Sequence, residues 1–173
     1  MLRIFALSLI FVASIAAADI SGSYITFLGP WTVENGEMVT FNFEVGNGSP
    51  DGAVLDELIF AFHPCVTVLA GGYDDTGASN FWLYAFDNSS PNVARWWHPT
   101  DDIGSHMVAG DSGPFWLTVQ MDYECPCGLL PINWTLLGLG GDAPNELTGL
   151  ITFEAGCPTA TAKSHWGMVK SLY

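Results

Sequence analysis

The sequence predicts an all-β fold, an antiparallel β-sandwich of about eight or nine short strands. Three observations predict it. Apolar side chains recur at every second position in a series of short windows. Clusters of Gly, Asn, Asp and Pro separate those windows. No window before residue 160 carries apolar residues at helical spacing. So many strands without interleaved helices must cover their apolar faces with one another, which gives two packed sheets.

The elements follow in order. Tyr24–Leu28 opens the set. In Met38–Val45, Val39, Phe41, Phe43 and Val45 face one way, and Thr40, Asn42 and Glu44 the other. Asn47-Gly48-Ser49-Pro50-Asp51-Gly52 is a turn cluster. Leu55–His63 keeps Leu58, Phe60 and Phe62 in phase, and Cys65–Leu69 continues after Pro64. Gly71–Asn80 reads as a loop, Phe81–Phe86 as a strand, Asp87–Pro91 as a turn and Val93–Trp97 as a strand. Phe115–Tyr123 alternates through Leu117, Val119 and Met121. Ile132–Leu137 and Leu147–Glu154 complete the set.

Three strands contain adjacent aromatics, and neighbours on a strand point to opposite faces. Phe115 is in phase with Leu117, which sends Trp116 outward. Trp82 is in phase with Tyr84 and Phe86, which sends Phe81 outward. The doublet Trp96-Trp97 gives no phase. Outward rings, chiefly Trp116 with Trp96 or Trp97, are candidates for a ligand platform that stacks on sugar rings or meets a partner surface. The alternative is that long loops such as 98–113 fold back over them.

The chain has 173 residues, 49 % apolar and 13 % aromatic, which excludes a disordered chain. Eighteen Asp and Glu face four Lys and Arg, for a formal charge of −14. Arg95 is the only Lys or Arg between residues 19 and 156. Such a surface excludes nucleic-acid binding through phosphate neutralisation and repels anionic membranes. Residues 1–18 read as a secretory signal peptide. Arg3 supplies the positive end, Ile4 to Ile15 the apolar run, and Ala16-Ala17-Ala18 the small-residue cleavage site. That run is short for a membrane span of about 20 residues, and no later stretch is long and apolar enough, so no span is expected in the mature chain. Residues 19–156 form one domain, and 157–173 form a linker and short tail.

Cys65, Cys125, Cys127 and Cys157 are even in number, and with a signal peptide they read as two disulfides. Pairing Cys125 with Cys127 across Pro126 makes a very small ring at the outer limit of disulfide geometry. The two remaining connectivities each tie Cys65 to one member of that pair and Cys157 to the other. Either closes loops worth about 3–4 kcal/mol each.

Asp74-Asp75 and Asp101-Asp102 sit in polar loops, and these four carboxylates are the candidates for a Ca²⁺ site, against a solvated acidic loop. His98 and His106 flank the second pair, an arrangement that suits a metal, although no spacing is diagnostic. Asn47, Asn88 and Asn133 each begin an N-glycosylation pattern. Gly-x-Ser-x-Gly, a Walker A loop, a Rossmann fingerprint and His-Glu-x-x-His are absent, so no catalytic residue and no cofactor beyond the Ca²⁺ candidate is assigned.

The stretch Val39–Val68 runs Val-Thr-Phe-Asn-Phe-Glu-Val, a turn, Leu-Asp-Glu-Leu-Ile-Phe-Ala-Phe, then Val-Thr-Val. It resembles the immunoglobulin-like domains of bacterial secreted and cell-surface proteins, of the adhesion-module or CARDB-like kind. Pro-Phe-Trp-Leu-Thr-Val at 114–119 and Leu-Thr-Gly-Leu-Ile-Thr-Phe at 147–153 look like their penultimate and final strands. The resemblance implies an immunoglobulin-like sandwich with a non-catalytic structural or adhesive role outside the cell, and a cell-surface protein or carbohydrate as partner. The same sandwich hosts many unrelated roles. The end of the tail, Trp166-Gly167-x-x-Lys170-x-Leu172-Tyr173, is similar to short C-terminal tails of secreted bacterial proteins, which implies a sorting signal. A short docking helix or a frayed end is the alternative.

Overall fold

The computed structural model describes residues 19–79, 81–99, 103–139 and 145–157. Residues 1–18, expected to be a signal peptide, together with Asp101, Asp102 and the tail beyond Cys157, lie outside the described residues. Ten strands form among those described: β1 (Tyr24–Gly29), β2 (Thr32–Glu34), β3 (Met38–Gly46), β4 (Val54–Phe62), β5 (Val66–Tyr73), β6 (Ala85–Asp87), β7 (Val93–Trp97), β8 (Ser112–Met121), β9 (Gly128–Leu139) and β10 (Glu146–Gly156). They build two stacked sheets, one of four strands in the order β1-β3-β8-β5 and one of six in the order β2-β10-β9-β4-β7-β6.

Period-two alternation explains the layering. Phe41, Phe43 and Val45 of β3 and Phe115, Leu117, Val119 and Met121 of β8 are all buried. They meet Phe60, Trp96 and Phe153 from the opposite sheet. Phe43 and Phe60 approach to 4.3 Å between ring centroids, Phe41 and Phe153 to 4.9 Å, and Phe115 and Trp96 to 5.4 Å. Tilted and edge-on pairs of this kind add about 0.5–1.5 kcal/mol each beyond the area they bury.

Three expectations are corrected. The sandwich is not wholly antiparallel, because β2 runs parallel to β10, with Thr32 opposite Glu154 and Glu34 opposite Gly156. β2 is also the strand that brings the number to ten. Its three residues are too short to show a period. It exists because Gly29, at φ 104°, and Pro30 end β1 and carry the chain across to the other sheet. The strand expected at Phe81–Phe86 is reduced to β6, and residues 81–84 are irregular. The burial phase there still holds, with Trp82 fully buried and Phe81 69 % exposed. Conversely β5 runs on to Tyr73, into the expected loop, past a register shift between Val68 and Ala70.

The disulfides are Cys65–Cys125 and Cys127–Cys157. The first joins the residue before β5 to the loop after β8, and those strands are neighbours. The second joins the foot of β9 to the end of β10, where Gly128 lies opposite Ala155. Both therefore staple adjacent strands, on either side of Pro126. Their sequence separations of 60 and 30 correspond to roughly 4 kcal/mol each in the chain-entropy description. The double variant Cys65→Ser/Cys125→Ser should lose about 3–4 kcal/mol of unfolding free energy in a denaturant titration. A loss below about 1 kcal/mol would contradict the stapling role.

Candidate functional site

Neither Trp96 nor Trp97 joins Trp116 in a platform. Trp96 is fully buried, packed against Phe86 at 5.1 Å and Phe60 at 6.0 Å, so it belongs to the core and is corrected from the platform. The physical reason is phase. Leu58 lies opposite Trp96 across β4 and β7 and points inward, and Trp97 therefore points outward. Trp97 lies on the outer face of the six-stranded sheet, with the Arg95 guanidinium 5.7 Å from its ring centroid. Trp116 lies on the outer face of the four-stranded sheet and is 37 % exposed. A whole domain thickness separates the two outward rings.

Trp116 has a partner that the sequence conceals. It pairs in register with Gly72 of β5, and its indole lies over that glycine. A methyl group on Gly72 would sit 2.6 Å from Trp116 Cζ2. On the same face Tyr24 covers Gly46, its register partner across β1 and β3. Aromatic rings thus replace the side chains that these strand glycines lack.

The two outer faces differ in charge. On the four-stranded sheet the outward strand positions include Tyr24, Leu28, Met38 and Trp116, exposed, among Thr26, Thr40, Asn42 and Thr118. Glu44 is the one charged side chain among those outward strand positions. On the six-stranded sheet the outward positions carry Glu34, Glu57, Asp87, Arg95, Glu146 and Glu154. There Arg95 grips the buried Glu57 carboxylate through both Nε and Nη2. That pairing holds the Arg95 guanidinium even more firmly protonated than usual.

The loop candidates serve their own backbone. Asp74 Oδ1 accepts the Thr76 N–H at 2.9 Å, and this bond holds its carboxyl below the ordinary range. Asp75 Oδ2 accepts the Trp82 N–H at 2.8 Å. Among the described residues no group of three His, Cys, Asp or Glu is arranged to hold a metal ion. His98 and His106 stack at 3.7 Å between ring centroids, and His106 Nε2 lies 3.1 Å from Asp56 Oδ1. Beside them the Tyr84 hydroxyl donates to Leu55 O, and burial pushes its phenol above the ordinary range. Of the glycosylation patterns, Asn47 is buried and its amide donates to Ala53 O and Met107 O. Asn88 donates to Val68 O and Leu69 O. Asn133 stands exposed on the outer face of β9.

Comparison with known proteins bears on the fold. Neither a protein-family model nor a curated protein matches the sequence. Solved structures do match. The N-terminal domain of a Streptococcus gordonii adhesin aligns with a TM-score of 0.54 at 9 % identity, over 80 % of this chain and 34 % of that one. The cohesin module of a Clostridium perfringens family 33 glycoside hydrolase aligns with a TM-score of 0.51 at 9 % identity, over 79 % and 98 %. The chain in a Clostridium thermocellum type I cohesin–dockerin complex aligns with a TM-score of 0.50 at 14 % identity, over 78 % and 99 %. At these identities the likeness is one of fold, a two-sheet β-sandwich.

The Trp116–Gly72 pair is testable. Alanine is ordinarily no worse than glycine in a strand. Here Gly72→Ala should destabilise by about 1–2 kcal/mol in chemical denaturation, because the methyl displaces the indole. In a Trp116→Ala background the same change should cost less than half as much. Equal costs in both backgrounds would show that the ring does not rest on the glycine.

Proposed function

We propose that the protein is a non-catalytic adhesive or structural module of the cell exterior. It meets a protein partner through the outer face of its four-stranded sheet. The observation that carries this reading is the charge contrast between the two faces. A chain with 18 acidic residues keeps a flat sheet surface nearly free of them and furnishes it with Thr, Met, Leu, Tyr and Trp. Charged residues are depleted and aromatics enriched at the centres of protein interfaces, because a charge buried there must be desolvated. The rings are already held in place by the glycines beneath them, which lowers the entropy lost on docking.

The exterior location is supported by two disulfides. The signal-peptide reading of residues 1–18 and the sorting-signal reading of the tail belong to the same proposal. The cohesin of the Clostridium thermocellum complex binds a dockerin, and the Streptococcus gordonii neighbour is an adhesin, so this fold is used for both purposes.

Binding of the mature chain to an envelope fraction of the producing cells, followed by biolayer interferometry, tests the reading. Trp116→Glu and Thr40→Lys, both on the proposed face, should weaken binding by at least about tenfold. Thr135→Lys on the opposite face should leave it unchanged. Equal binding by all three variants, or no binding by the unmodified chain, would reject the proposed face.

A further inference from the structure

A groove of about 370 Å³ opens at the end of the sandwich that carries the disulfides, lined by Gly36, Thr67, Gln120, Met121, Asp122 and Tyr123. Three segments far apart in sequence build it: the turn between β2 and β3, the start of β5 and the loop after β8. Their placement is fixed before any ligand arrives. The Cys65–Cys125 bond ties the second segment to the third. Asp122 N–H donates to Cys65 O, and Asn35 Nδ2 donates to Cys125 O. Gln120 Nε2 donates to Gly36 O at 3.0 Å, to Glu37 O at 3.3 Å and to Met121 O at 3.0 Å.

We propose that this groove is a binding subsite for a neutral pyranose ring. Tyr123 is 76 % exposed, the most exposed aromatic among the described residues. The Cδ1–Cε1–Cζ side of its ring lies against Gly36, which has no Cβ and adopts φ 86°, and most of the side chain is open to solvent. An open aromatic face on a rigid loop stacks against the C–H face of a sugar. Hydroxyl groups need partners at the rim, and the groove supplies them. With its amide nitrogen committed to three carbonyls, Gln120 keeps Oε1 as an acceptor. Thr67 Oγ1 and Asp122 Oδ2 make no hydrogen bond among the described residues, and Asp122 Oδ1 accepts only the Glu124 N–H. A carboxylate, an amide and a hydroxyl around one open ring match the adjacent hydroxyls of a hexose or pentose. The local charge sets the class. Glu37, Asp122 and Glu124 are the neighbouring ions, while Arg95 lies on the other sheet. Uronic acids and sulfated sugars are therefore repelled.

The groove adjoins the edge of the proposed docking face, where Gln120 pairs with Met38 and Thr67, but its ring is Tyr123 and not Trp116, and its test separates the two. The isotope-labelled mature chain is titrated with cellotetraose, xylotetraose and chitotetraose while backbone amide shifts are recorded. Tetragalacturonate and a decaproline peptide serve as contrasts. At least one neutral oligosaccharide should give saturable shifts centred on Gly36, Thr67, Gln120 and Tyr123. Tyr123→Ala should weaken that binding by at least about tenfold, Tyr123→Trp should retain it, and Trp116→Glu should leave it unchanged. The site is overturned if no neutral sugar shifts these amides, if only decaproline or tetragalacturonate does, if Tyr123→Ala binds like the unmodified chain, or if Trp116→Glu abolishes binding.

Discussion

Phe43 and Phe60 touch across the middle of the molecule, and the contact between them is where one sheet meets the other. Phe41 with Phe153, and Phe115 with Trp96, extend the same seam. Once those rings are committed inward, the pleat of each strand decides what its alternate residues show to solvent. Trp116 faces out because Phe115 and Leu117 face in, and Trp97 faces out because Trp96 faces in. The exposed chemistry of this protein follows from how its interior is filled.

The charge distribution is constrained in the same way. All the acidic residues fall between positions 19 and 156, where Arg95 is the only Lys or Arg. That cation is spent on Glu57, a buried carboxylate that would be costly to leave unpaired. No cation then remains in the described strands to balance acids on the other outer face, and that face holds a single one, Glu44. A surface low in charge on a strongly acidic domain stays soluble through the repulsion between the rest of the molecule and its neighbours. It also presents a flat area that a partner can cover at little desolvation cost.

Much of this was legible in the sequence, for a plain reason. Strands of eight or more residues in a sandwich carry two full faces, so β3 and β8 declare both their existence and their phase through Phe41, Phe43, Phe115 and Leu117. Short or doubled signals do not. β2 has three residues, with Val33 buried between exposed Thr32 and Glu34, too few for a period to be read. Trp96-Trp97 offers one large apolar side chain to each side, and only the neighbouring strand shows which is inside. Register was also hidden. The cover of Gly72 by Trp116 and of Gly36 by Tyr123 joins residues 44 and 87 positions apart, and no local pattern marks either. The disulfide pairing stayed open between two arrangements for the same reason, since the choice depends on which strands are neighbours. The groove beside Tyr123 comes from three separate segments and was not visible from any one of them.

The two sheets are locked by aromatic rings that face each other, and a double-mutant cycle on Phe43 and Phe60 measures that directly. Phe43→Leu and Phe60→Leu, singly and together, are compared by equilibrium denaturation. Contact between the rings predicts a coupling of about 0.5–1.5 kcal/mol, so the double variant loses less than the sum of the single losses. Strict additivity would mean that the rings do not meet and that the two faces are set by something other than this seam.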